Sequence, residues 1–203
     1  FSSRRRHTRS FHVTGVQTVL FRSRAKAGLE SKQIRLGSMY SLTANIIPRV
    51  IMGTKVRRPD LDIDLYLGSN ADLMKKLHEG DVDAIVIAVP TDDELDGIEI
   101  VPLFEDQLYL ASSKNNKPKQ GSVDLSNYEH EKFLTLQDGF ATTSGFYDAF
   151  GLAGITPNVV MKVGDIFTLM NMVSNDMGRS LLPGRVKALM GDALDFTPLD
   201  PKY

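Results

Sequence analysis

The sequence contains no cysteine, so neither disulfide bonds nor thiolate metal sites can form. Its longest uncharged apolar stretch, residues 84–90, is far shorter than the roughly 18 residues that a membrane-spanning helix needs. The 203 residues are 42% hydrophobic and 24% charged, which is typical of a globular protein of one domain or two small lobes. We therefore expect a cytoplasmic protein that does not interact with a membrane.

The sequence also lacks the motifs of common catalytic centres. It has no G-x-S-x-G, H-E-x-x-H or G-x-x-x-x-G-K-[ST]. Its four histidines do not have metal-ligand spacing. The acidic run at residues 92–96 lacks the fixed ligand offsets of a calcium loop. These absences favour a binding protein without catalytic residues, metal or cofactor over an enzyme.

Acidic residues are missing from the first 24 positions, which carry six arginines. In the remainder, 18 basic residues stand against 25 acidic ones, and the resulting net charge of −7 makes a poor DNA-binding surface. A basic nucleic-acid arm, a targeting peptide and a translated sequencing adapter are three interpretations of residues 1–24. We favour the adapter because of RRRHTR and LFRS, and expect a non-native, disordered segment.

Hydrophobic periodicity predicts strands and helices in alternation, which indicates an α/β fold. Parallel strands with right-handed crossovers follow from this order. A polar stretch at residues 111–122 separates two such patterns, so we expect two lobes. The predicted strands cover residues 33–37, 61–67, 82–89, 98–110, 132–136, 158–163, 179–182 and 194–199. The predicted organisation is the end of a linker helix (25–32), lobe I (33–113), lobe II (114–193) and a return strand (194–203).

Small hydroxyl residues follow several of these strands, where each strand gives way to a helix. They are Ser38, Ser41, Ser69, Thr142 and, with an acidic residue, Asp165 and Thr168. Each could simply cap its helix. Several such turns around one cleft, however, could bind a carboxylate or phosphate through hydroxyl groups and free helix N–H groups.

Four segments resemble the effector-binding domain of LysR-type transcriptional regulators. They are IRLGSMYSLTANIIPRVI, PDLDIDLYLGSNADLMKKLHEGDVDAIVI, VPLFED and DMGRSLLP, in order between residues 34 and 183. The resemblance implies the fold of the type 2 periplasmic binding proteins, in which a small effector lies between two α/β lobes. It also implies a DNA-binding parent protein with an N-terminal winged helix-turn-helix, assembled as a homodimer or homotetramer. Because neither that unit nor the family's final helix is found here, we expect a fragment prone to aggregation.

Effector contacts can be carried over by position from the same resemblance. They fall on Ser38, Ser41, Leu42, Ser69, Gln137, Phe140, Thr142, Asp165, Ile166, Phe167 and Arg185. Met39 and Leu42 are apolar at positions where relatives often have polar residues. Both GFATTSGFYDAF and GDIFTLMNMVSNDMGRSLLPGRV resemble regulators of malonate utilisation, which implies a small carboxylate effector. Helix N-termini could then bind one carboxylate, and Arg185 or Arg179 the other.

A solute-binding protein of a transporter, which shares this fold, is the alternative to a regulator. A turnover enzyme on the same scaffold is the third hypothesis. The linker-like RAKAGLESK, residues 24–32, favours the regulator, because a secreted receptor would not need a linker.

Overall fold

The computed structural model describes residues 14–22, 32–89 and 97–203. The strands in these ranges are β1 (Thr14–Arg22), β2 (Gln33–Met39), β3 (Asp62–Gly68), β4 (Ala84–Ala88), β5 (Ile98–Ser113), β6 (Lys132–Leu136), β7 (Asn158–Val163), β8 (Ser180–Pro183) and β9 (Leu194–Pro198). The helices are α1 (Ile46–Arg57), α2 (Asn70–Glu79), α3 (Ala141–Ala153), α4 (Ile166–Ser174) and α5 (Lys187–Met190). The predicted α/β class is confirmed, whereas most of the proposed linker helix lies outside the described residues.

Lobe I is built on the parallel strands β3, β2 and β4, in that order across the sheet. Alternating apolar residues in β3 and the continuous apolar run of β4 form these strands, and the helices between them give the predicted strand–helix–strand pattern. Helix α2 ends at Gly80, whose φ of 80° lies in the left-handed region that favours glycine. The apolar faces of β2, β4 and α2 form one core around Leu36, Leu73 and Ile85.

Strand β1 lies between β4 and β5 and runs antiparallel to both. The expectation that residues 1–24 are disordered is therefore wrong for residues 14–22, while residues 1–13 lie outside the described part of the chain. Val16, Val19, Leu20 and Phe21 have high strand propensity, and pairing on both sides satisfies the backbone of β1. Disorder is expected from the adapter interpretation, which implies few apolar residues to bury, but this short apolar segment is enough for a strand that is paired on both sides.

Strand β5 belongs to both lobes. Its first part, as far as Gln107, pairs with β1, and its second part, from Leu108, pairs with β8 and β9. The strand continues through Pro102 with an irregularity in its pairing, because Gln17 pairs with Phe104 and Thr18 with Pro102. A bulge of this kind accommodates a proline that cannot donate a ladder hydrogen bond.

Lobe II has two apolar cores. One lies under α4 and includes Leu134, Leu169 and Leu182. The other is built around Phe133, whose ring packs edge-on against Phe146 and Phe150 at centroid distances of 5.8 and 4.8 Å. Strands β6 and β7 pair in parallel, and an isolated bridge joins Phe133 of β6 to Arg179, the residue before β8. Among the described helices, none is long and apolar enough to cross a membrane.

Candidate functional site

A cleft lies where the two lobes meet. The empty space within it and at its mouth is about 260 Å³, which includes open solvent. The enclosed part of the cleft is smaller than this, so the cleft is small. The residues around it are Met39, Tyr40, Ser41, Leu136, Phe140, Ala141, Thr142, Ile166 and Arg185.

The N-terminus of α3 forms one wall of the cleft. Strand β6 leads into it through a turn at Gly139, whose φ is 90°. Phe140 occupies the N-cap position and has no oxygen with which to cap the helix. The N–H groups of Ala141 and Thr142 therefore lack an intrahelical acceptor, and they carry the positive end of the helix dipole. Such a helix start can bind an anion.

The N-terminus of α4 is different, because Asp165 caps it. The Asp165 carboxylate accepts hydrogen bonds from the backbone N–H groups of Phe167 and Thr168, both at 2.9 Å. The bond from the Thr168 N–H lowers the pKa of Asp165 and outweighs the opposing effect of its partial burial. This helix start is already neutralised by a carboxylate of the protein, so it is a poor site for a second anion.

Arg185 is the one charged side chain among the cleft residues of the described chain. Its side chain is 10% exposed, and its Nη1 atom lies 2.7 Å from Oδ2 of Asp106, a residue of β5. Its Nε atom donates to the Ser41 hydroxyl at 2.8 Å. Burial lowers the pKa of Arg185, and the charge of Asp106 opposes that change. An arginine remains protonated at neutral pH even so, and the cleft keeps its cation.

Among the described residues, the contacts between the lobes around the cleft include three besides the Arg185–Asp106 pair. Tyr40, which follows β2, packs against the lobe II core under α4. The backbone N–H of Ala71 in α2 donates to the carbonyl of Gly139 at 3.2 Å. The third contact is the hydrogen bond from Arg185 to Ser41. These contacts join the two lobes beside the cleft.

Five of the residues singled out from the sequence surround the cleft: Ser41, Phe140, Thr142, Ile166 and Arg185. Two of the predicted effector contacts in lobe I, Ser38 and Leu42, do not line the cleft. Ser38 is fully buried and donates its hydroxyl hydrogen to the Met39 carbonyl, while Leu42 is fully buried in the lobe I core.

The other four residues singled out from the sequence do not form the cleft wall. Ser69 caps α2 by accepting from the Asp72 N–H, as Asp165 caps α4. Gln137 is exposed beside Gly164, and the Phe167 side chain is 37% exposed. For Ser69 and Asp165, the capping interpretation that we considered for every such turn is the one that the geometry supports.

Tyr40 and Asp106 are among the residues at the site that the sequence alone does not indicate. Tyr40 lies between the predicted strand and helix, and nothing in the local pattern distinguishes it. Asp106 is in the segment VPLFED, but its partner Arg185 is 79 positions away. Arg179, the alternative cation, donates to Glu131 and Asn116 and is not among the cleft residues. A search of the described part of the chain finds no group of three or more metal-ligating side chains.

Comparison with known proteins connects this geometry to a family. The model of the LysR substrate binding domain matches residues 27–202. A malonate utilization transcriptional regulator of Klebsiella pneumoniae is 42% identical over 184 residues, which cover 89% of this chain and 59% of that protein. The chain thus spans less than two thirds of that relative's length.

Two solved structures are similar in fold. The effector binding domain of QuiR in complex with shikimate has 23% identity and a TM-score of 0.73, with 83% of this chain and 80% of that chain covered. Full-length CbnR with its target DNA has 20% identity and a TM-score of 0.67, with 88% and 62% covered. These likenesses confirm the predicted two-lobed fold of the type 2 periplasmic binding proteins.

Proposed function

Because the chain belongs to the LysR substrate-binding domain family, we propose that its cleft binds a small carboxylate, with malonate as the first candidate. The domain is an effector-binding domain of a LysR-type regulator. One observation supports a carboxylate: Arg185 and the uncapped N-terminus of α3 line the same cleft.

These two groups suit a dicarboxylate. The N–H groups of Ala141 and Thr142 can donate to one carboxylate, with the adjoining Thr142 hydroxyl as a further donor. Arg185 can bind the other carboxylate by a charge-assisted pair. Malonate is proposed because of the relative named above, which regulates malonate utilization, and because the cleft is small.

We propose that the domain binds its effector without converting it. The relatives found are regulators, and no motif of a catalytic centre occurs in the sequence. The transporter alternative has less support, because the matched family and the Klebsiella relative belong to transcriptional regulation.

In the whole protein, we propose that DNA is bound by a winged helix-turn-helix and that effector binding changes the relative populations of two arrangements of the lobes. Allosteric coupling between two binding sites is typically about 1–3 kcal/mol, and we expect a value of this size between effector and DNA. Assembly as a homodimer or homotetramer and a cytoplasmic location belong to the same proposal.

Binding can be tested by isothermal titration calorimetry and by thermal unfolding. Malonate at 100 times its Kd should stabilise the domain by about 2.7 kcal/mol. Malonamide has the same skeleton without charge and should give no shift, because the proposed contacts require carboxylates.

The Arg185→Lys variant should weaken malonate binding by about tenfold or more, because lysine keeps the charge but loses the planar fork. Arg179→Lys is the matched control, since Arg179 lies outside the cleft, and should retain wild-type affinity. Equal stabilisation by malonate and malonamide, or wild-type affinity in Arg185→Lys, would contradict the proposed site. Stabilisation by other small acids but not by malonate would overturn only the choice of malonate.

A further inference from the structure

The Arg185 guanidinium uses its three nitrogens unequally. Nη1 donates to Asp106 and Nε donates to Ser41. Nη2 has no hydrogen-bond partner among the residues that the structure describes. The Nη1 side of the guanidinium is therefore bound by the Asp106 carboxylate. On the opposite edge, formed by Nε and Nη2, only Nε has a partner among the described residues.

The Nε–Nη2 edge is one at which an arginine can bind a carboxylate through two hydrogen bonds. The Nε–H and one Nη2–H bond point in the same direction, with a spacing that matches the two oxygens of a carboxylate. A carboxylate placed there makes two parallel charge-assisted hydrogen bonds, whereas the Ser41 hydroxyl makes one with a neutral acceptor. Because a carboxylate adds a second hydrogen bond and an opposite charge, it competes well with the hydroxyl for this edge.

Asp106 can remain in place during such an exchange. Its Oδ1 atom accepts from the Gln107 N–H at 2.9 Å, and Oδ2 accepts from Arg185 on the opposite side of the guanidinium. Its side chain is 9% exposed, and a side chain added at Gly184 would lie 3.0 Å from Oδ1. Tight packing therefore fixes the carboxylate and, through it, the orientation of the guanidinium.

We propose that the Ser41 hydroxyl is a placeholder: it joins the lobes through Arg185 Nε in the ligand-free protein, and the effector carboxylate displaces it to bind Nε and Nη2. Asp106 is the positioning residue that aims this edge at the cleft. The inference rests on the proposed carboxylate function and adds a regulatory consequence. Effector binding breaks a contact between lobe I and lobe II, so occupancy of the cleft changes how the lobes are joined.

The test compares Ser41→Ala with wild type in malonate titrations. Without its competitor, the Arg185 edge should bind malonate about threefold or more tightly. Ser38→Ala is the matched control, because the Ser38 hydroxyl is bonded to Met39 within lobe I, and should leave affinity unchanged. Ser41→Thr keeps a hydroxyl and should return affinity towards the wild-type value. Weaker binding by Ser41→Ala would overturn the placeholder role, since Ser41 would then be an ordinary effector contact.

A second measurement needs no ligand and separates this inference from the proposed function. In the ligand-free Ser41→Ala protein, amide hydrogen exchange should rise at residues 40–42 and 184–186 relative to Ser38→Ala. Unchanged exchange at both segments would overturn the role of Ser41 in joining the lobes, whichever ligand the cleft binds. Failure of wild type to bind any small carboxylate, by contrast, would count against the proposed function.

Discussion

At the scale of single residues, α3 and α4 begin beside the same cleft but differ in one side chain. Phe140 leaves the N–H groups of α3 without a cap, and Asp165 supplies two hydrogen bonds to those of α4. The difference decides which helix start is open to an external anion. The two helices therefore have different roles: the cap stabilises α4, whereas the first N–H groups of α3 remain available to a ligand.

Replacement of Asp165 by alanine should lower the free energy of unfolding by about 1 kcal/mol, because two N–H groups of α4 lose their acceptor. Urea unfolding at neutral pH is the measurement. Asp138→Ala is the control, since Asp138 is exposed and its partner among the described residues is an exposed lysine, and it should change stability by less than about 0.5 kcal/mol. An equal loss in both variants would mean that capping is not the cause.

Single cleft residues could be predicted from the sequence where the residues of one turn between a strand and a helix were sufficient to identify them. Ser41 and Thr142 lie where a strand gives way to the next helix, so the position of these cleft residues can be predicted from the strand pattern. The same pattern also selects Ser69 and Asp165, which are caps, because a cap and an anion donor have the same local sequence. Asp106 needs a partner from a distant part of the chain, and no local pattern specifies that pairing.

At the scale of elements, strand β1 places two polar side chains in the interior of the sheet. Gln17 and Thr18 are buried in the middle of the sheet, at 2% and 0% exposure. The Gln17 Oε1 and Thr18 Oγ1 atoms have no hydrogen-bond partner within the described ranges. Buried polar atoms without partners are costly, so β1 is held by its backbone pairing and its apolar residues in spite of these two side chains.

Replacement of Thr18 by valine should therefore stabilise the protein, by about 1 kcal/mol or more, because a methyl group replaces the unpaired hydroxyl at nearly constant shape. Thr197→Val is the matched control with the opposite sign. The Thr197 hydroxyl is also buried but donates to Asp195 at 2.8 Å, and its loss should destabilise. Thermal unfolding of both variants tests the pair, and destabilisation by Thr18→Val would show that β1 is not packed as described.

Most other elements could be predicted because their periodicity is strong. The alternation at residues 61–67 and the apolar run at 82–89 correspond to β3 and β4, and the predicted 132–136 and 158–163 strands match β6 and β7. Strand β1 is not among the predicted strands because residues 1–24 are interpreted as a translated adapter sequence. Its position between β4 and β5 depends on pairing with residues more than 60 positions away, which composition does not report.

At the scale of the whole molecule, carboxylates connect distant parts of the chain. Hydrogen bonds from Lys202, and then from Tyr203 and Ser126, hold the pKa of Asp124 far below its usual range. The pKa of Asp83 is also lowered, because bonds from Arg35 outweigh the effect of its burial. Each of these groups favours the folded state in its ionised form.

Acid should therefore destabilise the protein. Because these pKa values are lower in the folded state than the usual value of about 3.9, the stabilisation is present above that pH and is lost as the pH falls through the folded-state values. Urea midpoints measured between neutral pH and about pH 3 should decline most below about pH 4, and Asp124→Asn should reduce that decline. A midpoint that rises on acidification would contradict the assignment.

The central position of β1 has a consequence for any shortened version of this chain. Removal of residues 1–26, which precede the matched family region, would also remove β1 from between β4 and β5. Two facing rows of backbone donors and acceptors would then be left open, and such rows recruit strands from neighbouring molecules. A soluble shorter protein would have to retain residues 14–22 or receive another nine-residue strand in the vacated gap.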